Sequence, residues 1–562
     1  MPLARLAARV LYAAGAERDA DRRPVRHGVQ VYRSVRRQRT GRQTIYGCAA
    51  VGLDEEKKRQ RHDFGSRRAF FKITEAGRLI QPLFRGIGRM DQECAAAGRR
   101  CLVIAGTGSG AGKTTVTLGI MAALRGKGLK VQGFKCGPDY IDPTYHKAVT
   151  GRPSRNLDSW MFGAEAVREL YERASADADL AVIEGVMGFY DGKDPKSNVG
   201  STAEISLLLG SPVLLVVNCQ SMARSAAAIV KGFQLLDPRV RIAAVFANKV
   251  GSAGHYRIVK EAIEQECGVP VIGYLLREEA LSVPERHLGL VPSIERGELG
   301  GFFDALAERL QQTTDMDKLL ELSELADELG LPPSPANRIF AEPARKYPVT
   351  LAVARDAAFH FYYEENLELL ELYGARLRFF SPLAGEPLPE DAGGLYIGGG
   401  FPEEFAERLG AQTAVAESIR RAVEQGLPTL AECGGFMYLT GSIRDTDGRS
   451  FPMVGLVPGQ VTMQRKLAAL GLREVTGLPG NFLLPEGEAA RGHEFHYSVY
   501  EPPDETALPA HAYETKGMRG TKTEGALRNR LIAGYTHLHF ASNPGIVPRW
   551  LAECEAYKAE RA

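Results

Sequence analysis

Short apolar runs recur along the chain from Cys101 onward, and stretches with helical period or rich in Gly and Ser separate them. The runs are CLVIA, LKVQGFK, LAVIEG, PVLLVVN and RIAAVFANK. Near-continuous apolar strands that alternate with helices are typical of a parallel sheet with both faces covered. The pattern therefore predicts one α/β domain over residues 98–330.

The alternation stops in the Pro-rich stretch ELGLPPSPANRIFAEPARKYP, where we place a linker at 331–346. It then restarts. VTLAVA, ARLRFF, GLYIG and PTLAE predict strands, whereas EENLELLELYG and ESIRRAVEQG predict helices. We expect a second parallel-sheet α/β domain over 347–545 and a C-terminal tail over 546–562.

Composition agrees with this plan, since 562 residues exceed what one hydrophobic core usually holds. The 44% apolar and 25% charged residues are ordinary for a globular protein. The longest apolar runs, such as SPVLLVVN, are only of strand length, so we expect no membrane partner. Eight cysteines are scattered without a C-x-x-C pair, which argues against a disulfide framework or a zinc site and favours the cytoplasm.

Positive charge is concentrated at the start of the chain. Residues 1–89 contain 21 Lys and Arg against 8 Asp and Glu, a net +13, whereas the remainder contains 49 against 60, a net −11. A transit peptide, a basic arm for nucleic acid, and a disordered non-native extension from an upstream start are three interpretations. We favour the last for a leader at 1–97, because nothing after Met90 needs it, and we expect no nucleic-acid partner.

The first apolar strand ends in GTGSGAGKTT, and a helical pattern follows. Its glycines let backbone N–H groups close around phosphate oxygens, its lysine reaches the β/γ-phosphates, and the following threonine binds Mg²⁺. The spacing is G-x5-G-K-T, one residue longer than usual, unless Thr107 takes the first glycine position. We predict an ATP site rather than a Gly-rich turn with an incidental lysine. The predicted ATP residues are Gly110, Gly112, Lys113, Thr114 and Thr115, of which Thr114 also binds the metal.

Two further segments place polar residues beside this loop. FKCGPDYIDPTYH follows the second strand, and IEGVMGFYDG ends a later strand at the carboxyl edge of the sheet, where ligands of open α/β sheets bind. Converging carboxylates there hold Mg²⁺ or orient a nucleophile, and Glu184, at a strand end, is the preferred metal ligand. A solvated turn or helix cap is the alternative for each acidic residue. The other candidates are Lys135 for ATP, and Asp139, Tyr140, Asp142 and Asp191 for substrate binding or catalysis.

A second candidate centre surrounds Cys433 in LAECGGFMYL, at a strand-to-helix turn with small neighbours. Such a turn exposes a thiol, and the helix start favours the thiolate. LYIGGGFPEEF offers an oxyanion hole at Gly399 and Gly400. GYTHLHFASNP offers His537 or His539 as the activating base. Alone, Cys433 is more often a buried apolar thiol, but the combination predicts an acyl-transfer site.

The stretch RGHEFHYS contains two histidines and a glutamate. His493, Glu494 and His496 lack a metal-ligand spacing that we trust. We interpret them as residues of a loop that flanks a site.

These motifs, in this order, closely resemble those of the cobyrinic acid a,c-diamide synthases, a family of glutamine-dependent amidotransferases. The stretches that carry the resemblance are GTGSGAGKTT, KCGPDYIDPTYH, TGRPSRNLD, IEGVMGFYDG, ANKVGSAGH, YIGGGFPEEF, AECGGFMYL, GHEFHYS and THLHFASNP. They cover about residues 98–545. The resemblance implies a dethiobiotin-synthetase-like P-loop domain fused to a class I glutamine amidotransferase-like domain.

By position, the resemblance implies that Cys433 attacks glutamine and that His537, rather than His539, activates it. The usual class I site has a His-x-Glu pair, and here His539 stands where that glutamate would be. A Cys-His dyad is therefore implied, and the question of a carboxylate that orients His537 stays open. The family's ATP, metal and substrate positions fall on Asp139, Tyr140, Asp142, Glu184 and Asp191, and its adenine contact on Asn248.

The function implied by the resemblance is ATP- and glutamine-dependent amidation of the a- and c-carboxylates of cobyrinic or hydrogenobyrinic acid through acyl phosphates, in cobalamin biosynthesis. Mg²⁺, ATP, glutamine and a corrinoid are the implied cofactor and partners, ammonia passes between the domains, and a homodimer is one assembly considered. Cobyric acid synthase and the nickel-sirohydrochlorin a,c-diamide synthase remain alternatives. A partitioning-type P-loop ATPase switch and a glutaminase for cell-wall amidation are alternatives of other kinds.

Overall fold

The computed structural model describes residues 100–277, 299–325, 338–503 and 509–561, and the backbone of two short strands at 285–286 and 289–290. The predicted leader at 1–97 and the first part of the predicted linker, 331–337, lie outside the described residues. Within these described ranges, no helix is long and apolar enough to cross a membrane.

Seven parallel strands form the first sheet. They are β1 (Cys101–Gly106), β2 (Val131–Cys136), β3 (Arg155–Leu157), β4 (Leu180–Glu184), β5 (Val213–Asn218), β6 (Ile242–Val250) and β7 (Val271–Leu276). Their spatial order is β3-β2-β4-β1-β5-β6-β7. The five apolar runs of the sequence form β1, β2, β4, β5 and β6. Side chains of β1 alternate between two cores, with Cys101 and Val103 in one and Leu102 and Ile104 in the other, which explains the continuous apolar run.

Helices cover both faces of this sheet. They are α1 (Lys113–Gly126), α2 (Asp142–Thr150), α3 (Ser159–Ser175), α4 (Thr202–Leu208), α5 (Ser225–Leu236), α6 (Ala253–Cys267), α7 (Gly300–Thr313) and α8 (Met316–Leu322), and a two-stranded hairpin of β8 (Glu285–Arg286) and β9 (Gly289–Leu290) precedes α7. Gly119 lets α1 approach α7, because a Cβ there would lie 2.9 Å from Leu310 Cγ. Helix α1 starts directly after the loop that follows β1, so this loop lies at the carboxyl edge of the sheet.

The second half contains a ten-stranded sheet and a separate four-stranded sheet. The strands are β10 (Thr350–Ala354), β11 (Arg376–Phe380), β12 (Gly394–Ile397), β13 (Thr429–Glu432), β14 (Thr440–Arg444), β15 (Ser450–Pro452), β16 (Val457–Met463), β17 (Ala469–Gly477), β18 (Ala489–His496), β19 (Ser498–Glu501), β20 (Ala510–Gly517), β21 (Gly520–Arg528), β22 (Leu531–Gly534) and β23 (His537–Leu538). The large sheet runs β11-β10-β12-β13-β22-β21-β20-β17-β18-β23, and the small one runs β15-β14-β16-β19.

The large sheet is parallel from β11 to β22 and antiparallel from β22 to β23. The parallel part is the α/β sheet that the sequence predicts. The antiparallel part was not predicted, because strands such as β21 are largely polar and half-exposed and carry no continuous apolar run.

Five helices accompany these sheets in the described residues, and the last of them differs from the prediction. They are α9 (Glu364–Leu372), α10 (Ala406–Ala411), α11 (Thr413–Glu424), α12 (Gly434–Leu439) and α13 (Ile546–Arg561). The predicted tail is α13, which buries Val547, Trp550, Leu551 and Cys554 against the sheet. These residues recur every three or four positions, a helical period that a tail would not have.

Candidate active site

The loop after β1 has the conformation that a phosphate-binding loop requires. Gly110 and Gly112 adopt φ of +75° and +94°, where side chains are disfavoured. A Cβ at Gly112 would also lie 2.0 Å from Nδ2 of Asn248. The Asn248 amide donates to the carbonyl of Ala111 at 2.8 Å and so supports the loop from β6. Its predicted contact with adenine stays a prediction.

Lys113 and Thr114 open α1 at the edge of this loop. The Lys113 ammonium donates to the carbonyls of Met187 at 2.5 Å and Gly108 at 3.4 Å. Burial and then the positive charge of Lys135 lower the pKa of Lys113 to about 8. The negative charge of Glu184 acts in the other direction but does not outweigh them. Thr115 is half-buried in the same turn. Among the described residues no carboxylate forms an ion pair with Lys113, which suits a residue that meets phosphate.

Glu184 is the fully buried centre of the neighbouring polar cluster. It accepts hydrogen bonds from the Thr114 hydroxyl at 2.6 Å and the Lys135 ammonium at 3.0 Å, and its other oxygen lies 2.8 Å from His146 Nε2. Burial opposes the charged form, but Lys135 and the His146 hydrogen bond outweigh it and hold the pKa of Glu184 well below its usual range. Glu184 therefore carries a negative charge beside the phosphate loop.

The loop and helix after β2 supply the remaining members of this cluster. Lys135 donates to Asp142 at 2.5 Å, and Asp139 lies 3.9 Å away. Burial works against its charge, yet Asp142 and Glu184 raise the pKa of Lys135 well above its usual value. Asp139 Oδ1 accepts the Ile141 and Asp142 backbone N–H groups. The KCGPDYIDPTYH stretch thus folds back onto the phosphate loop.

Asp191 stands apart from the buried cluster. It is exposed, and its carboxylate accepts the backbone N–H of Gly188 at 2.8 Å. The turn-stabilising role that we considered for the acidic residues is thus present for Asp191, as it is for Asp139. Both still lie in loops next to the phosphate loop.

Cys433 lies at a strained turn between β13 and α12, with φ of +49° and ψ of −103°. Such a backbone is costly for a residue other than glycine and is typical of nucleophile turns. Its neighbours must be small. A Cβ on Gly434 would lie 2.9 Å from the Gly400 nitrogen, and one on Gly435 would lie 2.2 Å from the Ile397 carbonyl oxygen.

The thiol of Cys433 differs from the prediction in its exposure and charge. Its side chain is buried, with 5% exposed, and Sγ lies 3.9 Å from the carbonyl oxygen of Phe495. Burial, with the charge of Glu403, raises the pKa of Cys433 above its ordinary value. Burial therefore opposes the thiolate that the helix start was expected to favour. Cys433 is a neutral thiol until a base removes its proton.

His537 lies against the glycine run that follows β12. A Cβ on Gly399 would lie 2.2 Å from Cε1 of His537, so only glycine fits there. Burial, with His493 and His496 nearby, lowers the pKa of His537 to about 3. The imidazole is therefore neutral, as a general base must be. His539 faces elsewhere, with Nε2 3.9 Å from Glu365 and its ring against Phe162 and Tyr363.

Tyr140 connects the two centres. Its ring centroid lies 4.9 Å from that of His537, and Phe361 and Tyr363 flank it at 5.2 and 4.7 Å. A residue that the sequence predicts at the ATP-dependent site thus contacts the candidate base of the thiol site. The two predicted centres are adjacent.

Comparisons with known proteins agree with both centres. Residues 102–291 match the family described as the CobQ/CobB/MinD/ParA nucleotide binding domain, and residues 350–545 match the CobB/CobQ-like glutamine amidotransferase domain. The cobyrinate a,c-diamide synthase of Priestia megaterium is 61% identical over 462 residues, which is 82% of this chain and 98% of the relative. The chain belongs to the cobyrinate a,c-diamide synthase family.

Other members of the family give the same result. The cobyrinate a,c-diamide synthase of Dehalococcoides mccartyi strain ATCC BAA-2266 is 44% identical over 82% of this chain and 99% of the relative. That of Picrophilus torridus is 42% identical over 81% and 98%. Family membership confirms the predicted fold class and enzyme class, a glutamine-dependent ligase of cobalamin biosynthesis. It also confirms nucleotide binding by the first half.

Three buried residues that position the site in this family member were not predicted. His146 contacts Glu184. The one feature of the sequence that could have indicated it is its position four residues after Asp142, which puts both on the same face of one helix. Glu432 precedes Cys433, accepts the backbone N–H of Leu538 at 2.9 Å and accepts the Tyr396 hydroxyl at 2.8 Å. Glu524 accepts the backbone N–H of Tyr535. The two glutamates therefore hold the segment that carries His537 from both sides.

The GHEFHYS stretch forms strand β18 rather than a loop. Glu494 is fully buried and pairs with Arg473 at 2.5 Å, His496 at 2.9 Å and Lys522 at 3.0 Å. His493 pairs with His537 across the antiparallel ladder. The stretch flanks the thiol site, as predicted, and in the described residues no group of three or more His, Cys, Asp and Glu has the arrangement of a metal site.

Proposed function

We propose that this chain uses ATP and glutamine to amidate the a- and c-carboxylates of cobyrinic acid, or of its counterpart hydrogenobyrinic acid, through acyl phosphates. The observation that carries the proposal is the contact between the two centres, where the Tyr140 ring lies against His537. Relatives up to 61% identical that are named cobyrinate a,c-diamide synthase support the substrate. A partitioning-type switch has no use for the thiol centre and is disfavoured.

The thiol centre releases ammonia. Neutral His537 takes the proton of Cys433, whose sulfur attacks the carboxamide carbon of glutamine, and the N–H groups at Gly399 and Gly400 stabilise the oxyanion. His537 returns the proton to the leaving nitrogen, which departs as ammonia and leaves a thioester on Cys433. Water then hydrolyses the thioester to glutamate. The burial of the thiol keeps water away until glutamine is bound.

The first half activates the acceptor. A substrate carboxylate oxygen attacks the γ-phosphorus of ATP, ADP leaves, and Lys113 and the loop N–H groups hold the phosphates. Thr114 and Glu184 offer a hydroxyl and an ionised carboxylate oxygen 2.6 Å apart, a donor set that fits Mg²⁺ with phosphate and water as its other ligands. Mg²⁺ held by Thr114 and Glu184 would neutralise phosphate charge. Ammonia then attacks the acyl carbon, phosphate leaves, and an amide forms.

We assign Asp139, Asp142 and Asp191, which follow β2 and β4 next to the phosphate loop, to substrate binding and to orienting the attacking carboxylate. Tyr140 lies on the route from the thiol centre, so ammonia passes beside its ring. The six described cysteines, all free thiols, support a cytoplasmic location. A homodimer stays a prediction.

The test supplies purified chain with ATP, Mg²⁺ and glutamine together with cobyrinic acid, hydrogenobyrinic acid, cobyrinic acid a,c-diamide or nickel-sirohydrochlorin, and counts added amides by mass spectrometry. Two amides on cobyrinic or hydrogenobyrinic acid and none on the diamide are expected. Amides added to the diamide would favour cobyric acid synthase. Amides added to nickel-sirohydrochlorin would favour the nickel-sirohydrochlorin a,c-diamide synthase.

A variant separates the two centres. Cys433→Ala should lower glutamine-dependent activity about 10⁴-fold and keep ammonia-dependent activity. Cys219→Ala, at a buried cysteine of the first half, should keep both.

A further inference from the structure

Trp160, near the start of α3, contacts two cations from different halves of the chain. The Lys193 ammonium stands 3.4 Å from the centroid of its indole ring, and the Arg491 guanidinium carbon stands 4.9 Å from it. Arg491 also donates to the Trp160 carbonyl at 2.8 Å. We call Trp160, Lys193 and Arg491 the cation bracket.

The positive charge of this bracket is only partly neutralised. Arg491 pairs with Glu474 at 3.2 Å, and both side chains are partly exposed. Lys193 is mostly exposed, and the partial burial of its ammonium, followed by the charge of Arg491, lowers its pKa despite the attraction of Glu474 and Asp158. Two cations at one aromatic ring repel each other, and a further anion that joins them reduces this repulsion.

One segment links the bracket to the phosphate loop. The carbonyl of Met187 accepts the Lys113 ammonium, and the N–H of Phe189 donates to the Gly106 carbonyl at 2.9 Å. Lys193 follows Phe189 by four residues, a span of at most about 14 Å. An acceptor carboxylate at the phosphate loop and other carboxylates at the bracket can thus belong to one ligand of macrocyclic size.

Arg491 also places the bracket next to the thiol centre. It lies on β18, two residues before His493, and β18 pairs with the strand that starts at His537. Burial lowers the pKa of His493 to about 4. The charge of Asp139, from the first half of the chain, acts in the opposite direction and so lies near this histidine. The bracket therefore borders the region where both centres face the acceptor.

We propose that the cation bracket binds carboxylate side chains of the macrocyclic substrate that are not being amidated, and so orients the reacting carboxylate toward the phosphate loop. The inference rests on the proposed function and adds the residues that recognise the substrate. The indole holds the two cations near each other, and Lys193 and Arg491 provide charge-assisted hydrogen bonds to carboxylates. In this proposal Lys113, at the other end of the Met187–Lys193 segment, binds the nucleotide phosphates.

The test measures KM and kcat for cobyrinic acid, ATP and glutamine in the full chain. Lys193→Gln and Arg491→Gln should each raise KM for cobyrinic acid about tenfold, and the double variant should raise it further. KM for ATP and for glutamine should stay within about twofold, as expected for groups that do not touch them. Lys193→Arg keeps the charge and should restore binding. Lys196→Gln removes an exposed lysine of the same loop and is the matched control.

An unchanged KM for cobyrinic acid in both single variants would overturn the proposal, and so would an equal rise in KM for ATP. Direct binding separates this failure from failure of the proposed function. The chain has two tryptophans, of which Trp160 belongs to the bracket, so quenching of tryptophan emission by the corrinoid reports binding without ATP or glutamine. Cobyrinic acid should bind with higher affinity than a corrinoid whose side chains are all amides. Lys193→Gln should abolish this difference in affinity. Equal affinities would overturn the bracket even if amidation occurs.

Discussion

At the scale of single residues, Glu184 supplies the buried negative charge beside the phosphate loop. Its two oxygens contact Thr114, Lys135 and His146 in a fully buried position. A buried carboxylate with these partners keeps its charge, whereas an amide in its place offers only one acceptor atom and leaves Lys135 short of a counter-charge.

We expect Glu184→Gln to lower ATP-dependent phosphate release at least about 100-fold, because the ionised oxygen beside Thr114 is lost. Glutamine hydrolysis should continue at the wild-type rate. Stability should fall by about 1–3 kcal/mol, since a buried ion pair is broken. Phosphate and glutamate release, measured in parallel, check this result.

Glu169→Gln is the matched control. Glu169 is another buried carboxylate of the first half, and it accepts the N–H groups of Ile339 and Phe340 away from the phosphate loop. Its loss should destabilise the fold without changing phosphate release per folded enzyme. Equal losses of phosphate release in both variants would contradict a specific role for Glu184.

The residue scale also shows what local sequence patterns can predict. Lys113, Glu184, Cys433 and His537 stand at strand ends or in Gly-rich turns, and such places can be recognised from neighbouring residues alone. Glu432 and His146 act through partners that are distant in the chain or buried, so no local pattern marks them. Their roles depend on tertiary contacts.

At the scale of elements, the thiol centre is built where the ends of β12, β13 and β22 meet. Adjacent parallel strands place Glu432 opposite Gly534, and the Gly398–Gly400 run lies against both the Cys433 turn and His537. The apolar runs predicted β12 and β13, but not the antiparallel strands that continue the sheet. Those strands are half-exposed, and their pairing is set by distant partners rather than by local period.

Gly399→Ala tests this arrangement. The added Cβ would lie 2.2 Å from His537 Cε1, so the imidazole must move, and we expect glutamine-dependent amidation to fall about 10²–10³-fold. Ammonia-dependent amidation should persist. Gly232→Ala on α5, where nothing lies within 4 Å of the added Cβ, should leave both activities intact. Loss of the ammonia-dependent reaction in Gly399→Ala would show that the damage is not confined to the thiol centre.

The strand that carries Glu432 gives a prediction for pH. Burial raises the pKa of Glu432 to about 7 from an ordinary 4.5. Between these values the folded state holds a proton that the unfolded chain releases, so the free energy of unfolding falls as pH rises through this window. The effect of this one group amounts to at most about 3 kcal/mol.

Glu432→Gln removes the titration, so its free energy of unfolding relative to wild type should rise between pH 4.5 and 7.5. Denaturation at several pH values checks this, with exposed Glu417→Gln on α11 as the control that should follow wild type throughout. Curves for Glu432→Gln that run parallel to wild type would contradict a buried, protonated carboxyl.

At the scale of the whole molecule, the two halves meet through charged and aromatic contacts. Arg155 of β3 pairs with Glu368 of α9, and Lys147 lies 3.6 Å from Glu364 of the same helix. The order of motifs predicts two centres in one chain. It does not predict that they touch, because nothing local in KCGPDYIDP indicates which residue of the other half will face Tyr140.

Coupling between the centres is the property that this contact should control. The Tyr140 ring packs against both His537 and Phe361, so we expect its removal to open a space from which ammonia can escape to solvent. We expect Tyr140→Ala to hydrolyse clearly more glutamine per amide formed than wild type, whose ratio should be near one. Tyr140→Phe keeps the ring and should keep the wild-type ratio. The measurement compares glutamate with corrinoid amide in the same reaction. A ratio near one in Tyr140→Ala would mean that ammonia is confined by other residues, whereas loss of glutamine hydrolysis would mean that the ring instead holds His537 in place.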